Sequence, residues 1–122
     1  MSGLLASIGV PLSLARNKNG DLYFASPNYH VILKAQIHPS DGSFGQVVNV
    51  AGTVSNGVDI PALSSALNYP SGVSLIEDSN GDATALLLAD TENNRIRKVD
   101  MTNSLMMTTT IVGTSVIGFS GD

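Results

Sequence analysis

Asp90 and Arg95 are the leading candidates in this sequence for side chains that could bind a ligand or take part in catalysis. Asp90 opens a run of turn formers, residues 90–94, that follows an apolar stretch, and Arg95 comes directly after the run. A carboxylate and a guanidinium on one turn could form an ion pair at a ligand-binding surface. The alternative is structural: Asp90 caps the turn, because Asp side chains bond nearby backbone groups, and Arg95 packs along a neighbouring element.

Two other sets of polar side chains could hold a metal ion: His30 with His38, and the alternating Asp78, Asn80 and Asp82. Two histidines are too few, because a metal site needs three or four convergent donors. The alternating run lacks the glutamate that closes a calcium loop, and Ala89 stands in that place. Neither a nucleophile elbow nor a phosphate loop is present. We therefore predict no catalytic residue, no metal and no cofactor.

The composition narrows the class of protein and of partner. The chain has 122 residues, of which 43% are hydrophobic and 13% charged, enough apolar surface for a packed core. A net charge of -4 argues against a nucleic-acid partner. No apolar run reaches the length of a membrane span, so we expect no membrane insertion. The absence of cysteine does not determine the cellular compartment. The low charge favours an extracellular or cell-surface location over the cytoplasm.

Alternating apolar residues between turn signals predict strands throughout the chain. Eight are expected: Leu12–Arg16, Leu22–Ala25, His30–Gln36, Gln46–Ala51, Gly72–Glu77, Thr84–Ala89, Arg95–Asp100 and Thr108–Val112. A long connection, Gly52 to Pro70, separates the first four from the last four, with one helical turn expected at Ala62 to Leu67.

The two halves repeat each other. Asn19-Gly20-Asp21 recurs 61 residues later as Asn80-Gly81-Asp82, and Gly52-Thr53 recurs 61 residues later as Gly113-Thr114. Between these pairs, Ala25, Ile32 and Lys34 recur at an offset of 64. Four short strands per unit at a fixed period are typical of β-propeller blades. The sequence therefore predicts an all-β chain of two four-stranded antiparallel blades, residues 1–61 and 62–122. The residues that define the repeat are Gly20, Asp21, Gly81, Asp82, Asp90, Arg95, Ile96 and Gly113.

At these residues the chain resembles the NHL-repeat family of β-propellers. The second unit carries the family pattern at Pro70, Gly72-Val73, Gly81-Asp82, Ala89-Asp90-Thr91, Asn93, Arg95-Ile96-Arg97 and Val112-Gly113-Thr114, and residues 118–122 match the loop that follows it. The first unit departs from the pattern: Ser26, Tyr29 and Val31 stand where the family has Asp, Asn and Arg.

The resemblance implies a propeller of about six blades, and two blades do not close a ring. The partner of these blades is then either further blades of the same longer chain or other copies of this chain, three of which would supply six blades. Because the sequence stops within a loop that normally continues, we favour a piece of a longer propeller.

The resemblance also implies a non-enzymatic binding or scaffold module that contacts a protein partner through loops at a ring face. The candidate contacts are Asn28, His30, Asp90, Asn93, Asn94 and Arg95, together with the Gly52 to Pro70 connection. Because the Asp–Arg pattern recurs in each blade of the family, the structural role of this pair is favoured. Two alternatives remain: a piece of a propeller lyase or lactonase with a channel metal, for which Glu77 is the one candidate ligand, and a building block of a surface assembly.

Overall fold

The computed structural model of the chain describes residues 8–38, 40–52, 66–102 and 106–113. Within them the chain forms eight strands: β1 Leu12–Arg16, β2 Leu22–Ser26, β3 Val31–Ile37, β4 Phe44–Ala51, β5 Pro70–Glu77, β6 Ala83–Asp90, β7 Arg95–Asp100 and β8 Thr108–Val112. Short 3-10 turns, Pro27–Tyr29 and Thr91–Asn93, join β2 to β3 and β6 to β7. The prediction of an all-β chain is confirmed. The first and last residues of each strand lie within two positions of the predicted ones. The helical turn expected at 62–67 falls largely outside the described residues, as does the predicted 61/62 unit boundary.

The strands form two antiparallel meanders, and neither closes on itself. Sheet 1 has the order β1-β2-β3-β4 and sheet 2 the order β5-β6-β7-β8. The third and fourth strands of both sheets are paired with an irregularity at the same place, between Ile32 and Leu33 in sheet 1 and between Ile96 and Arg97 in sheet 2. The sequence repeat is therefore also a repeat of strand pairing.

The first turn of each sheet has the same backbone hydrogen bonds. Gly20 and Gly81 have positive φ angles of 95° and 81°, and their N–H groups donate to the carbonyls of Asn17 and Asp78 at 3.0 Å in both turns. The side-chain Oδ1 of Asn17 and of Asp78 each accepts two backbone N–H groups at 2.8–3.0 Å. A glycine that tolerates positive φ and an Asn or Asp that binds its own turn are the local causes of this hairpin.

A second glycine in each sheet is required by close contact. Gly52 and Gly113 have φ angles of 92° and 98°, and a Cβ atom on either would collide with the carbonyl oxygen of His30 or Asn94. His30 and Asn94 are themselves left-handed, with φ angles of 60° and 59°. This explains why a glycine recurs directly after the fourth strand, beside the left-handed residue that closes the preceding turn.

The change of offset from 61 to 64 has a definite location. Asp21 and Leu22 are adjacent, whereas three residues, 83–85, separate Asp82 from Leu86. These added residues begin β6 and lengthen its hairpin with β5. The pairing of β6 with β7 and of β7 with β8 repeats that of β2 with β3 and of β3 with β4, whereas the bulges between the first two strands lie at different places in the two sheets.

The two sheets pack face to face around a shared core. Because side chains alternate along a strand, each sheet has two faces. In sheet 1, the front face carries Tyr23, Ala25, Ile32 and Ala51, and the back face carries Leu14, Leu22, Phe24, Ala35 and Val47. In sheet 2, the front face carries Leu87, Ala89, Ile96, Lys98 and Val112, and the back face carries Val73, Leu75, Leu86, Leu88, Arg97 and Val99. The front of sheet 1 is buried against the back of sheet 2, and burial of this apolar area stabilises the pair.

Candidate binding surface at the turn end

Both 3-10 turns lie at one end of the sheet pair, here called the turn end. Each turn is closed by the left-handed residue that follows it: the N–H of His30 donates to the Pro27 carbonyl at 3.0 Å, and that of Asn94 to the Thr91 carbonyl at 3.1 Å. The same conformation thus recurs at an offset of 64, although no position of one turn has the same residue at the matching position of the other.

The segment that leads into sheet 2 is bound to both turns. The Asn68 N–H donates to Oδ1 of Asp90 at 2.7 Å, and the Asn68 carbonyl accepts from the Glu92 N–H at 2.9 Å. The Tyr69 N–H donates to Nδ1 of His30 at 2.9 Å. Backbone groups at 68–69 therefore join the two turns into one continuous surface.

Asp90 is the buried centre of this end, with an exposed fraction of 0%. Its Oδ2 accepts from Nε of Arg95 and from the Asn93 amide, both at 3.0 Å. The predicted capping role is wrong, because Asp90 makes no side-chain hydrogen bond to the backbone of its own turn. Its backbone partner is Asn68, 22 positions earlier in the chain. Asp90 holds the incoming segment on sheet 2.

Ser26 does the corresponding work in sheet 1 without a charge. It is also 0% exposed, and its hydroxyl donates to the Ile8 carbonyl at 2.6 Å. The positions that carry arginine in sheet 2 carry Val31 and Leu33 in sheet 1. The departures of the first unit from the repeat pattern are therefore a consistent neutral set, in which a hydroxyl replaces a carboxylate and its cations are absent.

Arg97 lies in the interface between the sheets, on the back face of sheet 2 opposite Leu88. It is 8% exposed, and its nearest carboxylate oxygen, on Asp90, is 4.0 Å from its terminal nitrogen. Burial, with a smaller contribution from Arg95, lowers the pKa of the Arg97 guanidinium, and Asp90 partly offsets this. Its Nε is buried without a hydrogen bond to any described residue. Asp90 is thus the counter-ion of a poorly compensated buried cation.

The predicted contact residues separate into two groups at this end. Asn28, His30 and Asn94 are exposed, whereas Asp90 is buried and Asn93 and Arg95 are partly buried beside it. Two tyrosines are also exposed at this end: Tyr29 is 47% exposed and was not among the predicted contacts, and Tyr69, within the connection predicted as a contact surface, is 44% exposed.

At the opposite end, the repeated hairpin turns hold Asp21 and link the sheets. Burial alone would raise the pKa of Asp21, but hydrogen bonds, led by that from the Ile37 N–H at 2.8 Å, and the nearby Lys34 bring it below its ordinary value. Lys18 and Asp82 form an ion pair at 2.6 Å between the two hairpins. Both partners are about half exposed, so this pair adds little stability.

No three His, Cys, Asp or Glu side chains among the described residues come together as a possible metal site. Nor does the described part of the chain contain a helix long and apolar enough to cross a membrane. In comparisons with known proteins, neither a family model nor a curated protein sequence matched the chain.

Sequence reasoning missed the residues whose roles depend on distant contacts. Asn68 and Tyr69 belong to the connection that was expected to be a contact surface. Of this connection, the structure describes residue 52 and residues 66–70. The burial of Arg97 could have been predicted, because it alternates with Ile96 and is in phase with Val99. No local pattern marks Asn68 as the partner of Asp90.

Proposed function

We propose that this chain is a non-enzymatic binding or scaffold module made of consecutive blades of an NHL-type β-propeller. The supporting observation is that each free face of the sheet pair repeats a face that is already buried between the sheets. A stack of like sheets, each laid front to back on the next, is how propeller blades are arranged around a ring.

The front face of sheet 2 repeats the front face of sheet 1, with Ala89 for Ala25, Ile96 for Ile32 and Val112 for Ala51. In sheet 1 these positions are covered by sheet 2, and Ala51 is 0% exposed. In sheet 2 they are less buried: Ala89 and Ile96 are partly buried, and Val112 is 61% exposed. An apolar face of this kind is an interaction surface.

The back faces show the same relation in reverse. Sheet 1 carries Leu22, Phe24 and Ala35 where sheet 2 carries Leu86, Leu88 and Val99. The sheet 2 residues are buried in the shared core, whereas the sheet 1 residues line an open cavity of about 500 Å³. Each sheet therefore has one face suited to the opposite face of a similar sheet, and the stack has a direction.

A protein partner is proposed to bind at the turn end. Exposed tyrosines are enriched where proteins meet, and Tyr29 and Tyr69 lie on the surface that the 68–69 backbone holds together. Asp90, the side chain best suited to catalysis or ligand binding, is fully buried and is hydrogen-bonded to Asn68 and Arg95. This arrangement supports a scaffold and not a reaction centre.

A photo-reactive phenylalanine analogue placed at Tyr29 or Tyr69 tests this surface. The matched control is the same analogue at Asn80, an exposed residue of the opposite end. In extracts of the native source, the turn-end probes are expected to form a discrete cross-linked product that the Asn80 probe does not. Products from Asn80 alone would assign binding to the other end, and products from none of the three positions would reject a protein partner.

A further inference from the structure

The two outward faces of the sheet pair match each other. We propose that the back face of sheet 1 binds the front face of sheet 2 from a second copy of this chain. This inference rests on the proposed blade architecture and names the occupant of both free faces. The interface would be heterologous, since each copy contributes a different surface.

The back face of sheet 1 carries Arg16 opposite Leu22, and beside it an apolar cavity whose described lining contains no charged residue: Ile8, Pro11, Leu14, Leu22, Phe24, Ala35, Ser43, Phe44 and Val47. Leu14 is 67% exposed and Phe44 39% exposed at its rim, while Phe24 is 5% exposed. By strand pairing, Leu14 takes the place of Val73, because it lies opposite Phe24 as Val73 lies opposite Leu88. Val73 packs against the core of the existing interface. Leu14 is thus the exposed version of a residue that already serves in sheet-on-sheet contact.

The front face of sheet 2 is also recessed. Two cavities of about 250 and 260 Å³ adjoin there and share Ala89 and Ile96. Two charged residues lie on this face, Lys98 and Asp100. Lys34, the counterpart of Lys98, is accommodated in the existing interface beside the Tyr23 ring and in an ion pair with Asp21, with its side chain 23% exposed. A long Lys side chain can cover apolar surface while its ammonium group reaches water.

The existing interface shows what the free faces can bind, because it joins a front face and a back face of these two types. The two free faces lie on opposite sides of the described sheet pair, because the front of sheet 1 and the back of sheet 2 are already packed together. A second copy presents both surfaces with the same residues. Repetition of one such contact gives a ring if its rotation closes and a filament if it does not.

Single charges placed on the two faces test the proposal. Leu14→Asp blocks the back face and Val112→Asp blocks the front face; with exposed fractions of 67% and 61%, neither position is part of the chain's own core. Met107→Asp is the matched control, because Met107 is 47% exposed and lies outside both faces. In analytical ultracentrifugation, the unmodified chain and the control are expected to sediment above the 12.6 kDa of one chain. Each blocked variant alone is expected to sediment as a monomer.

Mixing the two blocked variants identifies the geometry. One variant keeps an intact front and the other an intact back, so an equimolar mixture is expected to form a one-to-one dimer of about twice 12.6 kDa. If the contact were front to front or back to back, one of the blocked variants would form a dimer by itself. If the mixture stayed monomeric, front-to-back contact would be excluded. Either result overturns the proposal. Circular dichroism checks folding, and Leu14→Gln with Val112→Gln replaces any variant that fails it. An unmodified chain that is monomeric at all concentrations also overturns it, without affecting the cross-linking test of the turn end.

Discussion

Replacing Asp90 with serine tests the role of the buried carboxylate at the turn end. Serine is the residue that sheet 1 carries at this place, so the change is one that the fold accepts in a different setting. In sheet 2 it removes the acceptor of the Asn68 N–H and the counter-ion of two arginines. The expected result is a large loss of stability.

The size of the loss in the free energy of unfolding distinguishes a buried counter-ion from a turn cap. Loss of a surface cap costs about 1 kcal/mol, whereas loss of one partner of a buried ion pair costs about 3–5 kcal/mol. Arg95 is 22% exposed and can turn to water, but Arg97 is 8% exposed and cannot do so readily. We therefore expect Asp90→Ser to lower the free energy of unfolding by about 3 kcal/mol.

The chain supplies its own control in the neutral set of sheet 1. The triple variant Asp90→Ser, Arg95→Val, Arg97→Leu transfers that set to sheet 2. It leaves no buried charge without a partner, and well-packed apolar residues often replace a buried ion pair at little cost. We expect the triple variant to be more stable than Asp90→Ser and to lose about 1–2 kcal/mol relative to the unmodified chain, because the acceptor of the Asn68 N–H is still weakened.

Urea unfolding followed by circular dichroism measures both variants. The protein concentration must be held constant, because assembly of copies raises the apparent stability. A loss below about 1 kcal/mol for Asp90→Ser would return Asp90 to the role of a surface residue. A triple variant as unstable as the single one would refute the account of Arg97 as a buried cation in need of Asp90.

Three further outcomes follow from the described contacts. Gly113→Ala should lower the free energy of unfolding by about 3 kcal/mol or more, because its Cβ would collide with the Asn94 carbonyl; Gly42→Ala, with positive φ but open space around it, should cost about 1 kcal/mol, and equal losses would contradict the contact. Asp21 has a folded pKa below its ordinary 3.8, so it contributes stability that is present above that value and is lost as the pH falls through the folded pKa. Asp21→Asn should reduce stability at pH 7 and flatten this acid dependence in urea titrations, and an unchanged pH profile would contradict it. Far-UV circular dichroism should show a β spectrum, and a substantial helical signal would contradict the strand assignment.

Local chemistry explains why the sequence was sufficient for the strands and turns. The hairpin turns depend on Gly20 and Gly81 and on an Asn or Asp three positions before each, all visible within five residues. The repeat then extends these local patterns to the whole chain. Contacts between distant segments are not encoded in this way, so the bond from Asn68 to Asp90 could not be predicted.

The first unit shows a second limit of pattern reasoning. Judged by the repeat pattern alone, Ser26, Val31 and Leu33 are departures from it. In the structure they are mutually consistent, because a hydroxyl that binds the Ile8 carbonyl requires no cation beside it. Only the pairing of the strands shows that the three positions belong to one cluster.

The central claim is that the free faces of the sheet pair are covered by similar sheets, and a thiol probe tests it most directly. The sequence contains no cysteine, so Val112→Cys introduces a single reporter on the front face and Met107→Cys provides an exposed control. In the native assembly, the account predicts slow maleimide labelling at position 112, rapid labelling at 107, and equal rates in urea. Labelling of Val112→Cys as fast as that of Met107→Cys in the native protein would contradict it.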